Sequence, residues 1–114
     1  MPNPRKAQGT RFETDVERVL KEAGLRAVKP RQAGVYDVGD IWLEDDIILQ
    51  AKAWKDIASA LREGTAGAQD QAVHARRRFG VAVIKKPRGA IKDAYVAMPL
   101  HVFADLIKSR TSPE

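Results

Sequence analysis

The chain has 114 residues, no cysteine, and 20 Lys and Arg against 15 Asp and Glu, giving a formal net charge of +5. That length allows one sizeable core rather than two, and the lack of thiols excludes a disulfide framework or a thiolate metal site. No apolar run reaches the length of a membrane span, and the opening Met-Pro-Asn-Pro-Arg-Lys lacks the apolar stretch of a secretory leader, so a cytoplasmic setting is expected. The basic excess, with a sequence pI near 9.7, favours a polyanionic partner, most simply nucleic acid, although a basic soluble protein without such a partner has the same composition.

In chain order, residues 1–9 read as a flexible basic arm carrying Arg5 and Lys6. Thr10 is placed as an N-cap with Glu13 completing a capping box. Phe12, Val16, Val19, Leu20 and Ala23 then recur at helical spacing up to a stop at Gly24. Leu25 to Lys29 reads as a short strand ended by Pro30, and residues 31–39 as a loop. Two strands follow, Asp40–Leu43 and Ile47–Trp54, joined by an acidic turn at Glu44-Asp45-Asp46. Asp56 caps a second helix in which Ile57, Ala60 and Leu61 face inward. Gly64-Thr65-Ala66-Gly67 weakens or breaks that helix, and Ala68, Ala72, Ala75 and Phe79 resume its stripe up to Gly80. Val81–Ile84 is a buried strand, Pro87-Arg88-Gly89 a turn, and Ala94–Met98 another strand. Pro99 opens a last helix that buries Val102, Phe103, Leu106 and Ile107 and frays after Lys108. The order predicts an α/β fold, a small mixed sheet flanked by helices, with one domain over 10–110 and a frayed tail at 111–114.

The strand Ile47–Trp54 carries the candidate chemistry. Alternation puts Ile47, Leu49, Ala51 and Ala53 on one face, and Ile48, Gln50, Lys52 and Trp54 on the other. Lys52 therefore stands in an apolar run, where an ammonium needs a partner, and Asp40 is the nearest acid in sequence. A carboxylate on one strand, with an amide oxygen and a lysine two residues apart on the next, suits a metal held beside a phosphate. Plainer roles exist for each residue. Glu13 can serve as a capping acid, Asp40 as a solvated strand end, Gln50 as a cross-sheet hydrogen bonder, and Lys52 can snorkel from an edge strand. Asp37 competes with Asp40 for the metal position, whereas Glu44, Asp45 and Asp46 read as a solvated hairpin tip.

Gly9-Thr10-Arg11-Phe12-Glu13 opening a helix, Gly39-Asp40-Ile41, and Gln50-Ala51-Lys52, in an αβββαβ order, together resemble the PD-(D/E)XK nuclease superfamily. Within it the likeness is to small, phage-type Holliday-junction-resolvase-like endonucleases, over residues 9 to 107. The resemblance implies a restriction-endonuclease-like core and a Mg²⁺-dependent DNA endonuclease, with Mn²⁺ as a substitute ion, acting on branched DNA as a homodimer. By the same likeness Asp40, Gln50 and Glu13 match the metal-binding positions, and Lys52 matches the lysine that orients water or stabilises the phosphate. Gln50 departs from the usual Glu or Asp; its carbonyl oxygen can still ligate Mg²⁺ but brings no charge. A catalytically silent nucleic-acid-binding protein, or a nicking or restriction-like nuclease on duplex DNA, are the alternatives.

Arg5, Lys6, Arg11, Lys29, Arg31, Lys55, Lys85, Lys86 and Arg88 are the candidate DNA contacts. Arg76-Arg77-Arg78 sits at a helix end, where cations also offset the macrodipole. His74 and His101 lack ligand spacing and read as surface residues, and Trp42 and Trp54 serve either core packing or base stacking.

Overall fold

A computed structural model describes residues 4–31 and 36–111, with the backbone alone for 4–6. The elements are α1 (Pro4–Glu22), β1 (Ala27–Val28), β2 (Ile41–Leu43), β3 (Ile47–Lys52), α2 (Ile57–His74), β4 (Phe79–Ile84), a 3₁₀ turn (Ile91–Asp93), β5 (Tyr95–Ala97) and α3 (Leu100–Thr111). One sheet holds the strands in the order β1-β2-β3-β4-β5. β3 and β4 run parallel across the α2 crossover, and the other neighbouring pairs are antiparallel. The fold is thus α/β with a helix-flanked mixed sheet, and its first six elements run α-β-β-β-α-β.

Strand alternation sorts the core into two layers. Ile41, Ile47, Leu49, Phe79, Val81 and Val83 pack under Phe12 and Val16 of α1 and Val102 of α3. On the opposite face Ile48 meets Ala68 and Ala72 of α2, while Ala82 and Ile84 meet Ala60. The α2 layer is thin because its inward residues are small. A Cβ on Gly64 would lie 3.2 Å from the Ala82 Cβ and 3.3 Å from the Lys52 Cγ, and a Cβ on Gly80 would overlap the Ala68 carbonyl. Gln69 ties the same layer by donating Nε2–H to the Gly80 carbonyl at 2.9 Å.

These contacts correct several expectations. α2 runs unbroken through Gly64-Thr65-Ala66-Gly67; Gly64 lets the helix lie close over the Ala82 and Lys52 side chains, while Gly67 faces open space. Phe79 and Gly80 belong to β4, and the helix ends earlier in a Schellman motif. There the Arg77 N–H donates to the Ala72 carbonyl and the Arg76 N–H to the Val73 carbonyl, with Arg76 at φ +55°. α1 begins at Pro4, so residues 4–9 are helical and Thr10 is interior; its carbonyl accepts from the Thr14 hydroxyl. Pro4 is tolerated because first-turn N–H groups have no helical partner. Glu13 is therefore no capping-box acid. Gly24 does stop α1, at φ +91°, with Leu25 donating to the Leu20 carbonyl, and this leaves Ala23 exposed beyond the helix. Leu61, Phe103 and Ile107, expected inside, are exposed. α3 reaches Thr111 because Arg110 grips Asp46 through two hydrogen bonds, at 2.7 and 3.0 Å. No helix among the described residues is long and apolar enough to cross a membrane.

Candidate functional site

The candidate site forms where β2 begins late. The Asp40 N–H donates to the Leu49 carbonyl at 2.9 Å, and its Oδ2 accepts the Ala51 N–H at 2.8 Å. The carboxylate thus fills a place in the β3 ladder where main-chain carbonyl would otherwise stand, and it lies near the plane of the sheet. The preceding loop is tied down. Asp37 accepts the Gly39 N–H through Oδ1 at 2.9 Å and the Gln71 amide through Oδ2 at 2.8 Å. Trp42 donates Nε1–H to the Val38 carbonyl at 2.9 Å. Gly39 sits at φ +97° with Ile48 packed against it, so a side chain would be strained there. Both oxygens of Asp37 accept a hydrogen bond, which braces the loop.

Glu13 projects from α1 on one face of the sheet, and Gln50 and Lys52 project from β3 on the α2 face. Asp40 is the group the two layers share: its charge acts on Glu13, and Lys52 acts on it. Burial pushes the Asp40 carboxyl above its ordinary range, the Ala51 N–H pulls it back, and the Asp37 charge raises it again. Lys52 and Lys29 partly compensate. Glu13 is raised by burial first and by the charges of Asp40 and Asp37, with Lys29 opposing. Lys29 is held over this group by donating to the Thr14 hydroxyl at 2.6 Å. The result is two carboxylates that burial and mutual repulsion make receptive to a cation or a proton.

Among the described residues, no hydrogen bond or ion pair joins any two of Glu13, Asp40, Gln50 and Lys52. The Lys52 ammonium instead lies 4.4 Å over the Trp54 ring, so Trp54 replaces Asp40 as its immediate neighbour. β3 is internal to the sheet, which rules out snorkelling from an edge. Trp54 itself is partly exposed rather than core. Among the described residues no three of His, Cys, Asp and Glu gather as a ligand set, so a cation here would rest on Asp40, Glu13 and the Gln50 amide oxygen. That oxygen is buried with no hydrogen-bond partner, as is the amide oxygen of Gln71, an arrangement normally costly. An oxygen-seeking ion that keeps several waters and needs one or two carboxylates fits such a donor set.

Cations are divided between the two ends of the sheet. At the far end Arg26 pairs with Glu44 and Asp45, Arg110 pairs with Asp46, and Arg77 stacks on Trp42 and donates to the Glu44 carbonyl. The acidic turn is therefore an ion-pair hub rather than an idle tip. Arg78 lies over the Phe79 ring, so two members of the arginine triplet have structural contacts. At the site end Arg11, Lys29, Arg31, Lys55, Lys85, Lys86 and Arg88 make no ion pair among the described residues. The Lys85 N–H donates to the Lys52 carbonyl, which fixes that lysine beside the site. Arg5 and Lys6 have side chains outside the described residues. His74 and His101 are both exposed, as expected.

Gln71 escaped the sequence reading although a signal was present. Positions 68, 71 and 72 stand at i, i+3 and i+4 on the buried stripe of α2, and a polar side chain there must bond something. It bonds the Asp37 loop, and His74 adds a 3.1 Å contact between Nδ1 and the Asp37 carbonyl. Comparison with protein-family models, with curated proteins and with solved structures finds no match to this chain.

Proposed function

We propose that the chain is a Mg²⁺-dependent DNA endonuclease that hydrolyses phosphodiester bonds, with the PD-(D/E)XK resemblance of its motifs as the guide to its chemistry. The observation that carries this reading is the unpartnered Gln50 oxygen, buried on the strand beside Asp40. Asp40 and Gln50 would hold the ion from β2 and β3, and Glu13 would complete its protein ligands from α1. A bound Mg²⁺, or Mn²⁺ in its place, supplies a water of lowered pKa and positive charge against the phosphate. Lys52 would place its ammonium against the negative charge that builds on the phosphate oxygens, confined by the Trp54 ring and by the narrow gap at Gly64. The unpaired cations of the same end would hold the DNA backbone.

Branched DNA is the proposed substrate, by the resolvase-like resemblance, and two symmetric cuts call for a two-fold dimer. The surface that suits a second copy is the outer edge of β5 with the adjoining face of α3, where Tyr95, Val96, Leu100, Phe103 and Ile107 are exposed. The small-residue stripe of α2 is already used inward. The decisive assay is a cleavage panel of four-way junction, flap, nicked and linear duplex DNA, with Mg²⁺, Mn²⁺ or EDTA. Junction cleavage that requires a metal and disappears in Asp40→Asn supports the proposal; cleavage unaffected by that change refutes it. A second reading, a DNA-binding protein without catalysis, draws on the neutral Gln50 and on the lack of a three-acid ligand set among the described residues. It expects binding but no cutting of any substrate in the panel.

A further inference from the structure

Beside the candidate site, on the α1 face, a cavity of about 170 Å³ opens between α1 and the β4–β5 connection. Arg11, Lys85 and Lys86 stand around it with Gln8, Phe12 contributes to its wall, and Asp15 is its single acid. Asp15 is already engaged with Arg18 at 3.7 Å, whereas the three cations have no ion-pair partner among the described residues. Three like charges around one concavity repel, and a low-dielectric wall strengthens that field. Their positions are fixed by the fold. Arg11 lies two residues before Glu13 on α1, and the Lys85 N–H is bonded to the Lys52 carbonyl. Lys86 begins a tight turn in which Gly89 donates to its carbonyl and Arg88 takes φ +58°. The Lys86 stem lies across Gly89, where a Cβ would come within 3.0 to 3.1 Å of it.

We propose that this cavity seats one phosphodiester of the nucleic-acid strand, a non-scissile phosphate near the one placed at Asp40. It would set how the strand is registered over the cutting site. The inference rests on the nuclease reading above, but its test reads binding rather than cleavage. Counterion release makes the logarithm of affinity fall with the logarithm of salt concentration, with a slope of about 0.9 per phosphate contacted on duplex DNA. Three cations on one phosphate form one contact, so their removal is not additive in slope.

Fluorescence anisotropy with a labelled junction and a labelled duplex, in EDTA over a sodium chloride series, tests this. Arg11→Ala, Lys86→Ala and the triple variant with Lys85→Ala should each flatten the slope by up to about one contact, roughly 0.9, the triple no more than that. Gly89→Ala, which displaces Lys86 without removing charge, should weaken binding as well. Arg26→Ala, at the far end of the sheet, should leave the slope alone. A triple variant that flattens the slope by about three contacts means three separate phosphates and overturns the single seat. A triple variant with the parent's slope overturns any phosphate contact there while leaving the nuclease reading intact. A parent that shows no salt-dependent DNA binding overturns both.

Discussion

Replacing Asp40 separates what the residue does for the fold from what it does for chemistry. In the parent its Oδ2 accepts the Ala51 N–H at 2.8 Å, while burial and Asp37 make its charge unfavourable. Asp40→Asn keeps an acceptor of the same reach and removes the charge. Asp40→Ala removes both and strands the Ala51 N–H, at a cost of about 1–3 kcal/mol. Without metal at pH 8, thermal unfolding should therefore rank Asn at or above the parent, with Ala below Asn by about 4 °C per kcal/mol lost. The pH dependence has a definite sign. A carboxyl whose pKa is raised in the folded protein costs stability once ionised, and that cost is relieved as the pH falls through the raised value. The Asn advantage should thus shrink toward pH 4. Added Mg²⁺ should stabilise the parent, by about 2.7 kcal/mol at one hundred times its dissociation constant, and neither variant. Calorimetry or circular dichroism on the three proteins, with and without Mg²⁺, gives the ranking. If Asn falls as far as Ala, the carboxylate does not cap the strand as described; if Mg²⁺ stabilises all three alike, the ion is not held at Asp40.

Trp54→Ala should free the Lys52 ammonium and lower kcat about two- to fivefold with KM little changed, the worth of an exposed cation–π contact, while Trp54→Phe retains most activity in steady-state cleavage. Gly80→Ala drives a methyl into the Ala68 carbonyl of α2 and should cost about 3 kcal/mol in urea unfolding; a cost below 1 kcal/mol would mean that the helix and strand are not in such close contact. Arg76→Gly relieves a left-handed residue at the end of α2 and should raise stability by about 1 kcal/mol, measured the same way. Asp46 is held below the usual carboxylate range by its hydrogen bonds from Arg110. Its contribution, about 1 kcal/mol for an exposed bidentate pair, is present above the ordinary Asp pKa and lost as the pH falls through the lowered one. Asp46→Asn should accordingly destabilise at pH 7, by an amount that shrinks as the pH falls below the ordinary Asp value.

The elements that sequence reading located well are those whose side chains alternate or recur around a single buried face. β3 is the clearest case. Ile47, Leu49 and Ala51 do share a core, and Ile48, Gln50 and Lys52 do oppose it. One group of failures has a single physical origin: glycine and proline have different meanings in different neighbourhoods. Gly64 and Gly80 were expected to interrupt or end a helix, yet each is required by an element from elsewhere in the chain, β4 against α2. Pro4 reads as part of a flexible arm, yet it opens a helix. Phe103 and Ile107 carry a helical stripe that the sheet never reaches, because β5 is short and α3 touches the core chiefly through Val102. Long-range proximity of this kind is not written in local periodicity.

The candidate site shows the same division. The residue types and their order were legible, but the faces they occupy depend on a sheet edge that no motif encodes. Glu13 belongs to the α1 layer and Lys52 to the α2 layer, and an unbroken sheet would keep them apart. Both interact with the charge of Asp40, whose carboxylate completes the ladder opposite Ala51 because β2 starts only at Ile41. In the proposed site that carboxylate would be the meeting point of the two layers, at the end where Arg11, Lys29, Lys85 and Lys86 make no ion pair among the described residues. The tie from Gln71 to Asp37, with the Gly39 N–H bonded to the same carboxylate, fixes the segment that leads into Asp40. On this argument the length of β2 matters as much to the proposed chemistry as the identity of its first acid.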